Sequence, residues 1–210
     1  IVIPGSVTEI GAYAFSGCHS LSSIVIPGSV TEIGAYAFSG CHSLSSIVIP
    51  GSVTEIGAYA FSGCRLLSSI VIPESVTKNV ETFFQDFDSL VTINVSPENS
   101  ALAVVDGVLF DKTMKKLIRY PTGITSEMYT IPQGVAVIGE SAFSSCKFLR
   151  SIAIPDSVTT IEGRAFENCT SITSIAIPDS VAEIGAKAFL GCKSLANITI
   201  SNSIKRIMYG

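Results

Sequence analysis

Six cysteines are the side chains of this 210-residue sequence with the widest range of chemistry, since thiols form disulfides, bind metals and act as nucleophiles. They recur at one position of a repeated pattern: Cys18, Cys41, Cys64, Cys146, Cys169 and Cys192. Equivalent Cα atoms in neighbouring repeats would lie about 5 Å apart, a distance that permits a disulfide. However, pairing the three consecutive cysteines would leave one unpaired, and Phe87 takes the same position in the next repeat. The sequence also lacks the C-x-x-C spacing that is typical of a zinc site. We therefore interpret these residues as small, buried, apolar thiols.

The two histidines, His19 and His42, are copies of one repeat position, which Arg65 occupies in the third repeat. Stacked imidazoles could bind a metal together with nearby carboxylates, but an arginine at this position would repel a divalent cation. We interpret both as duplicated surface residues. The sequence offers little else for general acid–base catalysis, and it has no G-x-S-x-G elbow, phosphate-binding loop or calcium-loop pattern. We therefore expect no catalytic residue, no cofactor, no metal site and no enzymatic activity.

Composition and charge exclude three further classes of protein. Thirteen Lys and Arg against seventeen Asp and Glu give a net charge of −4, which argues against a nucleic-acid-binding groove. Apolar residues make up 47% of the chain, too many for a disordered protein, yet no stretch approaches the roughly 18 apolar residues of a membrane span. Because Ile1 opens in the middle of a pattern and no signal peptide is present, we expect the chain to be a piece of a longer protein.

A repeat of 23 residues organises the chain and must position all of these side chains. Residues 24–46 repeat residues 1–23 letter for letter, and the next unit differs only at Arg65 and Leu66. One unit buries too little apolar surface to fold alone, so we expect the units to stack into a single solenoid domain over residues 1–210. The units are 1–23, 24–46, 47–69, 70–92, 93–128, 129–151, 152–174 and 175–197, with a partial unit at 198–210.

Alternation within one unit predicts its local structure. A short strand over residues 23–26 would end at Pro27, and a second short strand would follow at residues 31–33 on the far side. Gly34 would then turn the chain, and Ala37 and Phe38 would pack a tight helical turn into the core. Strands of successive units would pair in parallel, about 4.8 Å apart. The residues predicted to face inward in this unit are Ile24, Ile26, Val30, Ile33, Ala37, Phe38, Cys41 and Leu44.

The unit at residues 93–128 is longer than the others and contains an insertion. Residues 107–110, 111–115 and 116–120 read as strand, polar turn and strand, which predicts a β-hairpin that projects from the solenoid edge or extends its sheet. The same segment holds the only local basic cluster, which could be a contact point or a solvated turn. Its members are Lys112, Lys115, Lys116 and Arg119, beside Tyr120.

The full unit, C-x-x-L-x-x-I-x-I-P-x-S-V-x-x-I-G-x-x-A-F, resembles the BspA-like subclass of leucine-rich repeats, found in surface proteins of host-associated bacteria and in some protists. Leu21, Ile24 and Ile26 supply its L-x-x-L-x-L part, and Ser29 stands where the common signature has Asn or Cys. A serine hydroxyl there can still bond the backbone, as an Asn side chain would. The fold predicted is an α/β repeat solenoid: a right-handed leucine-rich-repeat coil with a parallel β-sheet on one face, short strands or helical turns on the other, and one inserted β-hairpin.

The outward residues of the predicted lining sheet form the candidate interaction surface. They are small, uncharged and shallow, which suits a broad protein or glycan partner better than a small molecule. The alternative is that small residues only keep a crowded sheet soluble. The surface comprises Ser23, Val25, Ser46, Val48, Ser69, Val71, Thr92, Asn94, Ser151, Ala153, Ser174 and Ala176, together with the hairpin residues Lys112, Lys115, Lys116, Arg119 and Tyr120.

These observations predict a non-catalytic interaction module of an extracellular or cell-surface protein. The resemblance implies adhesion to host matrix proteins or to cells, through an extracellular protein or glycan ligand, and neither nucleic acid nor direct membrane insertion is expected. Open solenoid ends need caps, so uncapped repeats could also associate end to end. The alternative is a structural spacer or an engineered repeat scaffold with no ligand, because residues 1–23 and 24–46 are identical.

Overall fold

The computed structural model describes residues 1–84, 87, 89–200 and 202–208, in two compact units, Ile1–Gly107 and Val108–Gly210. In each unit, repeats stack so that equivalent short strands pair in parallel, which makes each unit a β-solenoid of leucine-rich-repeat type. In the inner repeats the core residues are covered from both sides, as the fully buried Phe38 and Phe166 are by the rings of their neighbouring repeats. The prediction of one solenoid domain over the whole chain, and its right-handed coil, stay predictions.

The first unit contains six strands and one short helix among its described residues. Strands β1, β2 and β3 form a parallel sheet in register, and β4 pairs in parallel with β5. The elements are β1 Glu9–Ile10, β2 Glu32–Ile33, β3 Glu55–Ile56, β4 Ser69–Ile72, α1 Val80–Phe83, β5 Thr92–Val95 and β6 Leu102–Val105.

The second unit contains ten strands among its described residues. Strands β8, β10, β12, β14 and β16 pair in parallel, β9 pairs with β11, and β13 pairs with β15. Strands β7 and β8 pair antiparallel, with a register shift between Leu109 and Phe110. The strands are β7 Val108–Asp111, β8 Lys116–Arg119, β9 Met128–Thr130, β10 Val137–Ile138, β11 Ser151–Ala153, β12 Thr160–Ile161, β13 Ser174–Ala176, β14 Glu183–Ile184, β15 Asn197–Thr199 and β16 Arg206–Ile207.

Both strands predicted for a repeat have counterparts, but they differ in regularity. The second predicted strand is β2, and its equivalents recur in both units. The first predicted strand, at residues 23–26, is reduced to a single parallel bridge between Val2 and Val25. Its hydrogen bonds are uneven, because Val25 N donates to Ile1 O at 3.1 Å while Ile3 N reaches Val25 O only at 3.5 Å. Regular strands form at this position from β4 onwards.

The predicted helical turn at Ala37 and Phe38 is a turn without α-helix, so the α/β class is not confirmed. Along this turn, Ala37 N donates to Gly34 O within the repeat, whereas Tyr36 N and Phe38 N donate to Ala58 O and Ala60 O of the following repeat at 3.0 and 2.8 Å. An α-helix needs consecutive bonds to the residue four positions earlier. The alternation between repeats therefore replaces the helix. In the described part of the chain, the one α-helix is Val80–Phe83.

Amides on the other side of the repeat donate in the opposite direction. Thr31 N and Gly34 N donate to Thr8 O and Ile10 O of the preceding repeat, at 2.8 and 2.7 Å. The hydroxyl of Ser29 adds a bond to Val7 O of the same preceding repeat at 2.6 Å. The serine thus bonds backbone, as predicted, but across the repeat interface. Each interface is held by main-chain bonds of both directions.

The core prediction is confirmed, since all eight inward residues predicted for residues 24–46 are buried. Phe38 stacks between Phe15 and Phe61, with ring centroids 5.3 and 5.6 Å apart. In the fourth repeat the aromatic column changes, because Phe83 meets Phe61 edge to face at 6.5 Å and packs on Phe84 at 4.3 Å. The aromatic rings of this layer are therefore tilted rather than stacked.

Glycine is required where the second strand leaves several of the repeats, because successive backbones approach closely there. A Cβ atom at Gly57 would lie 2.3 Å from Ala35 N and 2.6 Å from Gly34 C, and one at Gly34 would lie 2.5 Å from Ala12 N. No side chain can yield to relieve such contacts, since the opposing atoms are backbone. The repeat spacing is therefore set at this position.

Candidate interaction surface

The six cysteines, which share one repeat position, are arranged as packing residues rather than as a reactive site. All six cysteines are free; four are buried, Cys18 is exposed and Cys192 is half-buried. Each buried thiol contacts a carbonyl of the preceding repeat, as Cys41 Sγ donates to Phe15 O and Cys64 Sγ to Phe38 O, both at 3.2 Å. Burial raises the pKa of Cys41 to about 11 and that of Cys64 to about 12, so both stay protonated at neutral pH. Such thiols are poor nucleophiles and poor metal ligands.

The imidazoles of His19 and His42 lie on the surface and stack, with ring centroids 4.5 Å apart and planes at 11°. His19 Nδ1 lies 2.9 Å from Gly40 O, a hydrogen bond in which the nitrogen donates because a carbonyl only accepts. Partial burial, then the charges of Arg65 and His19, lowers the pKa of His42. Within the residues that the structure describes, no group of three or more His, Cys, Asp and Glu could hold a metal ion.

The lining residues of the first unit are exposed and carry a continuous apolar line, which we call the valine stripe: Val2, Val25, Val48 and Val71. Their exposed fractions are 78%, 61%, 77% and 51%. The serines beside them, Ser23, Ser46 and Ser69, are exposed as well. Sequence reasoning omitted Val2, although it occupies the position of Val25 in an identical repeat. The stripe ends where Val71 pairs in register with Asn94 of β5, and Ser69 likewise pairs with Thr92.

The corresponding line of the second unit is more polar. Ala153 of β11 pairs with Thr130 of β9, a residue that sequence reasoning missed, and Ala176 of β13 pairs with Thr199 of β15. Ala153, Ser174 and Ala176 are exposed, whereas Ser151 is half-buried. Apart from Met128 of β9, which pairs with Ser151 and is 71% exposed, the large exposed apolar side chains described in the lining lie in the first unit.

The hairpin residues do not form one surface cluster, and the expected roles of Arg119 and Tyr120 are wrong. Both side chains are only 2% exposed. Arg119 Nη1 donates to Ser141 O at 2.7 Å and Nη2 to Ser144 O at 3.4 Å, while the Tyr120 ring stacks on Phe143 at 5.3 Å. Tyr120 precedes Phe143 by one repeat length, so it takes the place of the core phenylalanine. That spacing is the signal that sequence reasoning missed.

The remaining cations of the hairpin point to different neighbours. Lys116 Nζ forms an ion pair with Glu162 Oε2 at 2.8 Å, and Lys115 Nζ donates to Gly134 O at 3.2 Å. Lys112 is exposed. The turn itself is held by Asp111, whose Oδ1 accepts from the backbone amides of Lys115 and Lys116 at 2.8 and 2.7 Å. Only Lys112 and Lys115 of this predicted cluster present exposed side chains.

A depression of about 580 Å³ on the second unit was not predicted from the sequence. Charged side chains of both signs line it, among them Glu140, Glu183 and Lys187. Glu162 in its wall is already engaged, since it pairs with Lys116 and its Oε2 accepts from Glu140 N at 2.8 Å.

No helix in the described ranges has the length and apolar character needed to cross a membrane.

Comparison with known proteins gives a consistent result. The model of the family described as BspA type leucine-rich repeat region matches six copies, over residues 1–113 and 122–210. A leucine-rich repeat protein from Eubacterium ventriosum ATCC 27560 has a similar structure, with a TM-score of 0.83, 25% identity, and coverage of 99% of this chain and 65% of that one. None of these matches indicates an enzyme family. No curated protein sequence matches the chain.

Two further solved structures are similar over most of the chain. The pneumococcal vaccine antigen PcpA gives a TM-score of 0.70 at 25% identity, covering 99% of this chain and 67% of that one. A leucine-rich cell surface protein from Faecalibacterium prausnitzii A2-165 gives 0.55 at 30% identity, covering 94% and 58%. The chain therefore spans between 58% and 67% of the length of these three proteins.

Proposed function

Because this chain belongs to the family of BspA-type leucine-rich repeat regions, we propose that it is a non-catalytic interaction module of a cell-surface or secreted protein. Its ligand is a protein or glycan of the host matrix or of another cell. One similar structure is described as a cell surface protein and another as a vaccine antigen, and both descriptions fit a module that faces the exterior. Stacked repeats offer a large rigid surface on which many weak contacts add.

The observation that carries this proposal is the valine stripe. Four valines in successive repeats, each more than half exposed, form an apolar line that costs solubility unless it is covered. Serines without charge flank the stripe at Ser23, Ser46 and Ser69. An apolar centre with a polar rim is the usual anatomy of a protein-binding surface. The shallow relief favours a broad partner over a small molecule.

The test measures binding of the chain to immobilised fibronectin, to fibrinogen and to epithelial cells. We expect micromolar binding to at least one of them, and a loss of about tenfold in the double variant V25S/V48S, since two exposed anchors are removed. Leu66→Ser is the matched control, because Leu66 is 58% exposed but lies outside the stripe. Absence of binding to every surface, or an equal loss in the control, would overturn the proposal.

A second function, a structural spacer, is favoured by the identity of residues 1–23 and 24–46. A spacer needs only the stacking of repeats, and copying one repeat preserves the stacking. In that case the stripe variants and Leu66→Ser would leave every binding measurement unchanged. Intact binding that depends on the stripe would exclude the spacer role for the first unit.

A further inference from the structure

One repeat position of the otherwise acidic first unit carries three nitrogen bases, His19, His42 and Arg65. Residues 1–107 contain nine Asp and Glu but only two Lys and Arg, and one of those two is Arg65. The same position holds His19, His42, Lys147 and Lys193, and Thr170 among the other described residues. We call the five nitrogen-bearing residues the basic column. Asp88 shares this repeat position and lies outside the described residues.

The geometry of the column in the first unit suits a row of anions. The two imidazoles stack 4.5 Å apart, and Arg65 follows in the next repeat, so three nitrogen groups stand in successive repeats. His19 keeps its Nδ1 proton on Gly40 O, which leaves Nε2 to take up a second proton. Serine hydroxyls at Ser22 and Ser45 are exposed between this column and the lining surface.

We propose that the basic column of the first unit binds the sulfate groups of a linear sulfated glycan, and that protonation of its two imidazoles strengthens the binding. This inference goes beyond the proposed function, because it assigns a second ligand to residues outside the valine stripe. Serine hydroxyls can hydrogen-bond the sugar hydroxyls, while the cations pair with the sulfates. A sulfate stays ionised in the pH range in which imidazole gains its proton, whereas a phosphomonoester loses charge there, with a second pKa of about 6.

Several charged and titratable groups face these imidazoles. Partial burial, followed by the charges of Arg65 and His19, lowers the pKa of His42 below its ordinary value. The Cys18 thiol and the amino group of Ile1 line a depression beside His19. An anion bound across the column would offset the repulsion among these cations. Binding should therefore raise the lowered pKa of His42, as linkage requires.

The experiment titrates the whole chain with a heparin-derived octasaccharide by calorimetry, at about pH 7.5 and about pH 5.5, on either side of the histidine range. Each cation gained near a sulfate strengthens binding about fivefold in water, so we expect an affinity at least tenfold higher at the lower pH. In the variant H19Q/H42Q this pH dependence should vanish. Proton NMR of the wild type should show the pKa of His42 rising when the octasaccharide is added.

The matched control is K147Q/K193Q, which removes the cations at the same repeat position of the second unit. It should keep the full pH dependence, because this variant retains both imidazoles. Persistence of the pH dependence in H19Q/H42Q would overturn the proposal, as would equal binding of a fully desulfated octasaccharide or of single-stranded DNA. The stripe variant V25S/V48S should bind the octasaccharide normally, so failure of the proposed function and failure of this inference are distinguishable.

Discussion

Replacing Gly57 by alanine tests directly whether this glycine is required by the close approach of the neighbouring repeat or by the local sequence. The new Cβ would lie 2.3 Å from Ala35 N and 2.7 Å from Ala35 Cα. Ordinary contacts of this kind are about 3.4 Å or longer, so the two backbones must separate by about 1 Å. The same substitution at Gly11 meets nothing within 4 Å, although the residues around both glycines read I-G-A-Y.

The expected magnitude follows from two opposing terms. Overpacking against rigid neighbours costs about 1–3 kcal/mol or more, and we take the upper part of this range because the opposing atoms are backbone. Loss of unfolded-state entropy returns about 0.4–1 kcal/mol for a glycine-to-alanine change. Gly57→Ala should therefore lower the free energy of unfolding by about 2 kcal/mol. Gly11→Ala should leave it unchanged or raise it by about 0.5 kcal/mol.

The assay is urea unfolding of both variants, followed by far-UV circular dichroism, with amide hydrogen exchange as a local readout. In thermal unfolding followed by the same signal, the melting temperature of Gly57→Ala should be about 4–8 °C below that of the wild type, given about 2–4 °C per kcal/mol for a chain of this size. Exchange should accelerate at the Gly57 amide, which donates to Ile33 O at 2.7 Å. Equal destabilisation by Gly57→Ala and Gly11→Ala would refute the reasoning, since only the Cβ at Gly57 would meet backbone atoms.

Three further outcomes are expected. Arg119→Met should lower the free energy of unfolding by at least about 2 kcal/mol in urea titrations, because Ser141 O loses a charged donor in a buried site; an unchanged midpoint would contradict this. In native protein, a thiol reagent at neutral pH should label Cys18 and spare Cys64, whose pKa burial raises to about 12, until the chain unfolds. Because the folded state lowers the pKa of His42, that state binds fewer protons just below pH 6.5, so stability should fall as the pH drops through this value and fall less in His42→Gln.

The features predicted correctly are those that depend on a single repeat. The inward residues of 24–46 and the second strand follow from the alternation of apolar residues, and both are found. The helical turn was expected from residues within one unit, but half of its amides donate to the following repeat. A hydrogen bond between two repeats cannot be recognised from the residue spacing within one repeat. For this reason the sequence could not exclude the helical turn, or the α/β fold class that was predicted from it.

The hairpin shows a second limit, which concerns side chains rather than backbone. Lys, Arg and Tyr in a polar segment are typical of a solvated turn, yet Arg119 and Tyr120 are buried. Tyr120 enters the core because β8 leads directly into the turn that carries the phenylalanine in other repeats, and Arg119 then lies over the carbonyls of Ser141 and Ser144. On the candidate surface, by contrast, the outward direction of Val25, Val48 and Val71 was predictable, because strand alternation decides it.

The opposite directions of the main-chain bonds at each repeat interface have an electrostatic consequence. In an α-helix all peptide dipoles point the same way, and their sum leaves about half a charge at each end. Here Tyr36 N donates forward to Ala58 O while Gly34 N donates backward to Ile10 O, and Ser141 and Gly139 repeat the pattern in the second unit. The two sets of dipoles cancel along the stacking direction. Lengthening such an array by another copy therefore builds up no terminal field, and the number of repeats can change without an electrostatic penalty at its ends.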